Sequence, residues 1–339
     1  PIEHIEAKTR ITKTTYTPMG QKATVTKPDG IQLIHEYNNL EQLARIHSSD
    51  NTIDYTYSYN RLGQLLQATD NTHSQTTTRT WDAHGNLLSE TLANNLTLTS
   101  QYDLANNKIE LTYPDHSRAI QTYNGLHLSA ITYLDSSGNP KASHQYTQYD
   151  LNNNLLTQKT SLGTITSHYN PLNTITQTKS PIHSHTIHEF DPAHNPLKTT
   201  LTLNNTSITK TFAYDALDQL IAENENTYTY DSNYNRLSDL HQTYQIDSLN
   251  QLKPTPTLTA SYDPNGNQTS TNTLHLEYDA LDRLISVTQN GIQYQYHYDP
   301  LHRRIKSTTQ NTETLYYYDH QNEIGSITAQ STEKRILGH

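Results

Sequence analysis

With 32% hydrophobic and 17% charged side chains in 339 residues, the chain is too polar for an ordinary large core and too weakly charged for a polyelectrolyte. A net charge of −10 argues against general nucleic-acid affinity, which needs Lys and Arg to displace phosphate counterions. There is no run of 18 apolar residues to span a bilayer, and no cysteine for disulfide or thiolate chemistry, although the lack of cysteine leaves the compartment open.

The chain begins Pro1-Ile2-Glu3-His4, with no initiator Met, basic leader or apolar signal segment, and it reads as a piece of a longer array. From Tyr16 onward one unit recurs: an aromatic residue, then Asp or Asn, then a short turn, then Leu or Ile. Its anchors are Tyr16, Tyr37, Tyr59, Trp81, Tyr102, Tyr123, Tyr149, Tyr169, Phe190, Tyr214, Tyr230, Ile246, Tyr262, Tyr278, Tyr298 and Tyr318. Early intervals are mostly 20 to 22 residues, and four successive intervals of 16 separate Tyr214 from Tyr278. Self-similarity at such periods predicts one supersecondary unit copied along residues 1–339 as a single array.

The unit around Tyr59 shows how each copy should fold. Tyr55, Tyr57 and Tyr59 alternate with Thr56 and Ser58, the period of a strand with one apolar face. Asn60 starts a turn, as Asp215, Asp279 and Asp299 do in their copies, because an Asx side chain bonds backbone N–H groups two residues on. Gly63 then takes the position that needs positive φ. Gly85, Asn106, Asn153, Asn173, Asp218, Gly266, Asp282 and Asn322 are expected in the same slot, as are His127, His194 and His302 in weaker copies. Tyr234 is expected in a unit stretched by one residue. Asp29-Gly30, Asn94-Asn95, Ser137-Gly138, Asn204-Asn205 and Asn290-Gly291 read as turns at the far end of the hairpins. Tyr and Thr favour half-buried pleated surfaces, and no stretch has a capped helical period. The fold class is therefore all-β: antiparallel hairpins, about 30 strands, too many to lie flat, curling into a hollow or partial shell or barrel.

Trp81-Asp82-Ala83-His84-Gly85-Asn86-Leu87-Leu88, Tyr214 to Ile221, Tyr278 to Ile285 and Tyr298 to Ile305 carry a resemblance. The pattern is similar to the YD repeats of Rhs proteins and covers roughly residues 16 to 325. The resemblance implies the spiralling β shell of Rhs toxins, toxin-complex cocoons and teneurins. In the bacterial members it implies a wall around a variable C-terminal toxic domain. The stretch from Tyr316 to Gly325, with Arg335 to His339, resembles the approach to the Rhs-associated core, so residues 326–339 would lead into a core outside this chain. That core's Asp-Pro-x-Gly cleavage signature has no counterpart here. Asp191-Pro192 and Asp299-Pro300 lack the glycine, while Asp263-Pro264-Asn265-Gly266 sits inside an ordinary repeat and reads as a turn.

Other candidate chemistry is weaker. His183 and His185 would share a strand face near His188, but no carboxylate or thiol flanks them, so no metal site is assigned. The recurrent Asp residues follow each anchor and are explained by turn capping. No catalytic residue and no cofactor are assigned, since no nucleophile triad, phosphate loop or zinc motif occurs. The structural anchors are taken as Tyr59, Trp81, Tyr102, Tyr149, Phe190, Tyr214, Tyr262, Tyr278, Tyr298 and Tyr318. The turn residues are Gly63, Gly85, Gly266, Asp215, Asp279 and Asp299. The reading expected from all this is a non-enzymatic, secreted or surface-located bacterial wall whose partner is its own C-terminal toxin or effector cargo. Secretion machinery and surface glycans are further partners to consider. Two rival readings are an adhesion or carbohydrate-binding module using Tyr ladders such as Tyr294, Tyr296 and Tyr298, and a self-assembling array joined through open sheet edges.

Overall fold

Each repeat folds as a hairpin because its turn is specified locally. In the Asp82 turn, the N–H groups of His84 and Asn86 donate to Asp82 Oδ1 at 2.9 and 2.8 Å, and Asn86 Nδ2 donates to Oδ2 at 2.8 Å. The backbone closes with Asp82 N donating to Asn86 O and Gly85 N to Asp82 O. This is a type I turn followed by a left-handed residue, which three-residue hairpin loops favour. Gly63, Gly85 and Gly266 hold that position with φ of 80°, 92° and 100°. Asn106, Asn153, Asn173, His194, Asp218, Asp282 and His302 adopt it as non-glycine residues, consistent with the tolerance of Asn and Asp for this region.

The computed structural model describes residues 2–6, 10–125, 127–255 and 259–335, with backbone alone for 2–6. Among them lie 33 strands and no helix, and strand pairs are antiparallel between neighbours in sequence. The chain is all-β, as its composition and periodicity implied. It divides into two compact units: Pro1–Pro114 with Asp247–Leu337, and Asp115–Ile246. The first unit contains two ribbons, eleven strands from Ile2–Glu6 to Lys108–Thr112 and nine from Ala260–Tyr262 to Thr332–Lys334. The second holds thirteen strands from Arg118–Asn124 to Arg236–Ser238, of which Thr229–Tyr230 and Arg236–Ser238 form a separate two-stranded sheet.

A bulge marks the anchors. Tyr59 faces Leu65 while Ser58 faces Gln67, leaving Leu66 as an extra residue in the returning strand. The same shift occurs at Trp81, Tyr278 and Tyr298. A bulge bends its strand and strengthens the local right-handed twist, so its repetition keeps the ribbon from lying flat.

Three local expectations are corrected. His127 and Asn322 do not take the left-handed slot. Asn124 pairs with His127 and Asp319 with Asn322 across two-residue loops, which place positive φ earlier, at Gly125 and His320. Tyr234 sits in a unit of ordinary length, because Asp231 N donates to Asn235 O as in the other turns, with Tyr234 at φ 67°. The Ile246 copy keeps its turn, with Asp247 N donating to Gln251 O, but among the described residues between the last strand of the second unit and Ala260–Tyr262 it has no strand of its own. Pro254 and Pro256 follow it, and proline has no N–H to give a ladder.

In the first unit the best-buried apolar residues gather where its two ribbons meet. Ile46, Ile53, Tyr55 and Ala280 form one cluster, with Leu33, Tyr57 and Leu281 packed on it. Leu92, Tyr113, Ile305, Tyr317 and Ile324 are also buried.

Candidate functional site

The repeat produces two kinds of cohesion: a ladder along the ribbon and a seam between ribbons. Along the ribbon, many anchors reach back to the preceding repeat and donate to a carbonyl at the start of its returning strand. Tyr59 OH donates to Leu43 O at 3.0 Å, Tyr102 OH to Leu87 O at 3.1 Å, and Tyr149 OH to Leu128 O at 3.0 Å. Tyr278 OH reaches Gln268 O at 2.9 Å, Tyr298 OH reaches Leu284 O at 3.0 Å, and Tyr318 OH reaches Arg304 O at 2.8 Å. Trp81 does the same with its indole, Nε1 donating to Leu65 O at 2.8 Å. An amphipathic ring therefore covers apolar surface while its tip ties two hairpins together. Phe190 fills the position without a donor, half-buried opposite Pro196. Tyr214 is half-buried as well, and Tyr262 instead accepts from Leu252 N at 3.2 Å. Burial pushes the Tyr318 phenol up to about 12.

The seam lies inside the first unit, where turns of the C-terminal ribbon meet the far-end turns of the N-terminal ribbon. Lys27 Nζ donates to Ala280 O at 2.9 Å and pairs with Asp282 at 2.7 Å. Ala280 N donates to Thr52 Oγ1 at 3.1 Å, and Tyr57 OH to Pro300 O at 3.0 Å. Asn94 Nδ2 donates to both Ile305 O and Tyr316 O at 2.8 Å. At the end of the row Lys108 Nζ pairs with Asp319 at 2.7 Å, and the Tyr113 and Tyr317 rings meet edge-on at 6.1 Å.

Two arginines join the buried acidic groups of the seam to the opposite ribbon. Asp279 and Asp299 cap their own turns through Leu281 N and Arg283 N, and through Leu301 N and Arg303 N. Each also accepts from the Nε of the arginine four residues on, at 2.8 Å. Arg283 continues across the seam to Tyr55 OH at 2.6 Å. Arg303 Nη1 reaches Glu90 at 2.9 Å and His320 O at 3.0 Å, while Arg79 holds the other Glu90 oxygen at 2.8 Å. Asp299, Arg303 and Glu90 are each no more than 3% exposed. Burial opposes the charge on Arg283 and Arg303, but the facing acidic and phenolic groups hold both above the usual arginine value. Burial also pushes the Tyr55 phenol up to about 12. A cleft of about 420 Å³ opens beside this row, lined by Tyr55, Asp70, His73, Asp279, Arg283 and His297. His73 bonds Asp70 at 2.8 Å and meets the His297 ring edge-on at 5.6 Å.

Among the anchor and turn residues nominated from sequence, Asp279, Asp299, Tyr298 and Tyr318 border the seam, Gly266 lies against Arg10 of the N-terminal ribbon, and Asp29, Asn94 and Asp282 bond across it. Asp215, with Leu217 N and Gln219 N donating to it at 2.8 and 3.0 Å, caps an open turn, and Gly63 and Gly85 lie in turns of the N-terminal ribbon. Sequence reasoning missed Arg283, Arg303, Glu90 and Lys27. A signal was present: the residue four after the turn-initiating Asx is Asn or Gln in most copies, but becomes Arg only after Asp279 and Asp299. Among the described residues no group of three His, Asp or Glu side chains could hold a metal ion. His188 Nε2 bonds Thr200 Oγ1 at 2.8 Å.

A repeat-built antiparallel ribbon, laddered by Tyr tips and sealed turn-to-edge by buried ion pairs, defines a YD-repeat wall. The sequence matches the Teneurin YD-shell family over residues 5–334, and the chain belongs to that family. Its fold is similar to that in the crystal structure of TcdB2-TccC3-TEV, with a TM-score of 0.76 at 15% identity over 96% of this chain and 21% of that one. TcdB2-TccC3-Cdc42 matches with a TM-score of 0.62 at 13% identity over 95% of this chain and 22% of that one. The Photorhabdus luminescens Tc holotoxin pore, in a TccC3 mutant, matches with a TM-score of 0.60 at 13% identity over 95% and 21%. This chain spans about a fifth of the length of those proteins, and the likeness is one of fold. No curated protein sequence matches the chain.

Proposed function

We propose that the chain is a non-enzymatic wall segment, one continuous repeat array, that helps enclose a C-terminal toxin or effector cargo in a secreted or surface-located bacterial protein. The observation that carries this reading is the seam. Aligned turns, 200 and more residues from their partners, dock edge-on and bury charge to do so. That investment in closing gaps suits a barrier better than a recognition surface. Family membership and the likeness to toxin-complex chains support the same reading, and residues 326–339 would lead toward the cargo side. Of that last stretch, Ile336 to His339 lie outside the described residues. The glycan-platform alternative fits less well, because the Arg304 guanidinium lies over the Tyr296 and Tyr316 rings at 5.5 and 4.6 Å and occupies those faces. No described helix is long and apolar enough to cross a membrane.

Protease protection tests the reading. In the full-length gene product, a C-terminal domain should resist digestion under native conditions and become sensitive when the seam is opened by Arg303→Ala. Equal digestion rates with the wall intact and opened would sink the container.

A further inference from the structure

The first unit shows what both halves of a docked edge look like, and the second unit exposes both halves. In the docked seam, Ala280 and Pro300 at the turn tips are fully buried, and Leu281 is half-buried beside them. The opposing far edge contributes Ile53 and Leu92, at most 1% exposed. In the second unit, by contrast, Leu151, Leu172 and Leu217 stand at turn tips and are at least 61% exposed. Leu162, Ile182 and Leu203, at its far-end turns, are at least 52% exposed. The two rows lie on opposite edges, because strand Leu155–Thr160 runs from the Asp150 turn to the turn at Leu162.

From these edges we infer that the second unit carries a self-docking surface, in which the turn-tip leucines of one copy of this chain seat on the far edge of a second copy. The turns on both edges advance two strands per repeat, about 9.6 Å, with Ala193 holding the tip of the Asp191 turn between Leu172 and Leu217. The receiving edge is shaped for it: Leu162, Ile165, Pro181 and Ile182 line an apolar groove of about 220 Å³. Gly163 helps keep that groove open, because at φ 122° a Cβ there would lie 2.5 Å from Pro181 Cγ. Charge is complementary as well. Asp150, Asp191, Asp215 and Asp231 line the turn edge, while Lys159 and Lys179 stand exposed beside the far-end turns. Apolar residues repeated at turn tips, where polar ones are the rule, mark a covered surface more than a solvated one. The contact joins unlike patches, so it runs head to tail and adds copy to copy, into a ring or an open chain according to the rotation between them.

Sedimentation over a concentration series tests this in the 339-residue protein. The unmodified chain should gain mass with concentration. The variants Leu151→Asp/Leu172→Asp/Leu217→Asp and Leu162→Asp/Ile182→Asp/Leu203→Asp should each stay monomeric with unchanged circular dichroism. Mixed one to one, they should form a dimer of twice the monomer mass, since each keeps the edge the other lacks. A monomeric unmodified chain, variants that associate as it does, or a mixture that stays monomeric would each overturn the inference. None of these outcomes bears on the container reading, which protease protection decides separately.

Discussion

The Asp279 and Asp299 turns and the Asp215 turn share one backbone plan and differ in almost everything that matters for stability. In each, the Asx side chain collects two backbone N–H groups and the third following residue has positive φ. Around Asp215 the tip residues Ala216 and Leu217 are exposed and Gln219 ends the turn. Around Asp279 and Asp299 the tips are buried, and an arginine in the Gln219 position reaches across to another ribbon. The turn is thus a local device, and docking is a separate property laid over it by two or three side chains.

The largest test of that difference removes the docking charge. Arg303→Ala leaves Glu90 and Asp299 buried with a lost partner, and breaking a buried pair from one side costs about 3–5 kcal/mol. Chemical denaturation should show that loss, and a change under 1 kcal/mol would mean the network is not what holds the seam. A paired substitution comes next. Ala280→Glu puts a charge into a filled apolar contact and should destabilise by about 2–4 kcal/mol, whereas Ala216→Glu at the same turn position should stay within about 0.5 kcal/mol. Equal effects at both positions would erase the distinction between docked and open turns.

The ladder should respond less. Tyr298→Phe removes one hydrogen bond to a backbone carbonyl and should cost about 1 kcal/mol, seen as a lower denaturation midpoint at unchanged slope. The smallest effect concerns acid. His297 is held below its ordinary 6.5 by burial first, then by Lys306 and His73, against the opposing pull of Asp70 and Glu313. His302, in the docked Asp299 turn, is lowered by burial and Arg283, against Asp299 and Asp279. A histidine kept neutral by the fold binds its proton more readily when unfolded, so stability present above pH 6.5 falls as the pH drops below it. His297→Gln should flatten the profile between pH 7 and 5. The acid-side loss from the turns comes lower: Asn86 and Asn107 hydrogen bonds hold Asp82 and Asp103 below their ordinary 3.8, so that contribution fades only as the pH falls below about 3.8.

Much of the fold was legible because its information is short-range. The Asx turn completes its hydrogen bonds within five residues, so Gly63 or Asp215 can be read in isolation. The misreadings have the same origin. His127 and Asn322 follow an aromatic and an Asx residue like other copies, but a two-residue loop closes before the usual slot. Among the nominated anchors, Tyr59 and Phe190 look equivalent in sequence, yet only the ring with a hydroxyl can donate to the repeat behind it. The seam residues were hidden for a different reason. Glu90 and Lys27 belong to no motif, and their importance comes from partners 213 and 253 residues away.

By itself, then, the sequence determined an antiparallel, helix-free array with its turns and bulges in place, because period and Asx chemistry act over a few residues. Only tertiary structure decided which identical-looking turns are buried and which stand open. That choice rests on partners more than 200 residues apart, Lys27 with Asp282 and Glu90 with Arg303, and no single repeat encodes such a pairing.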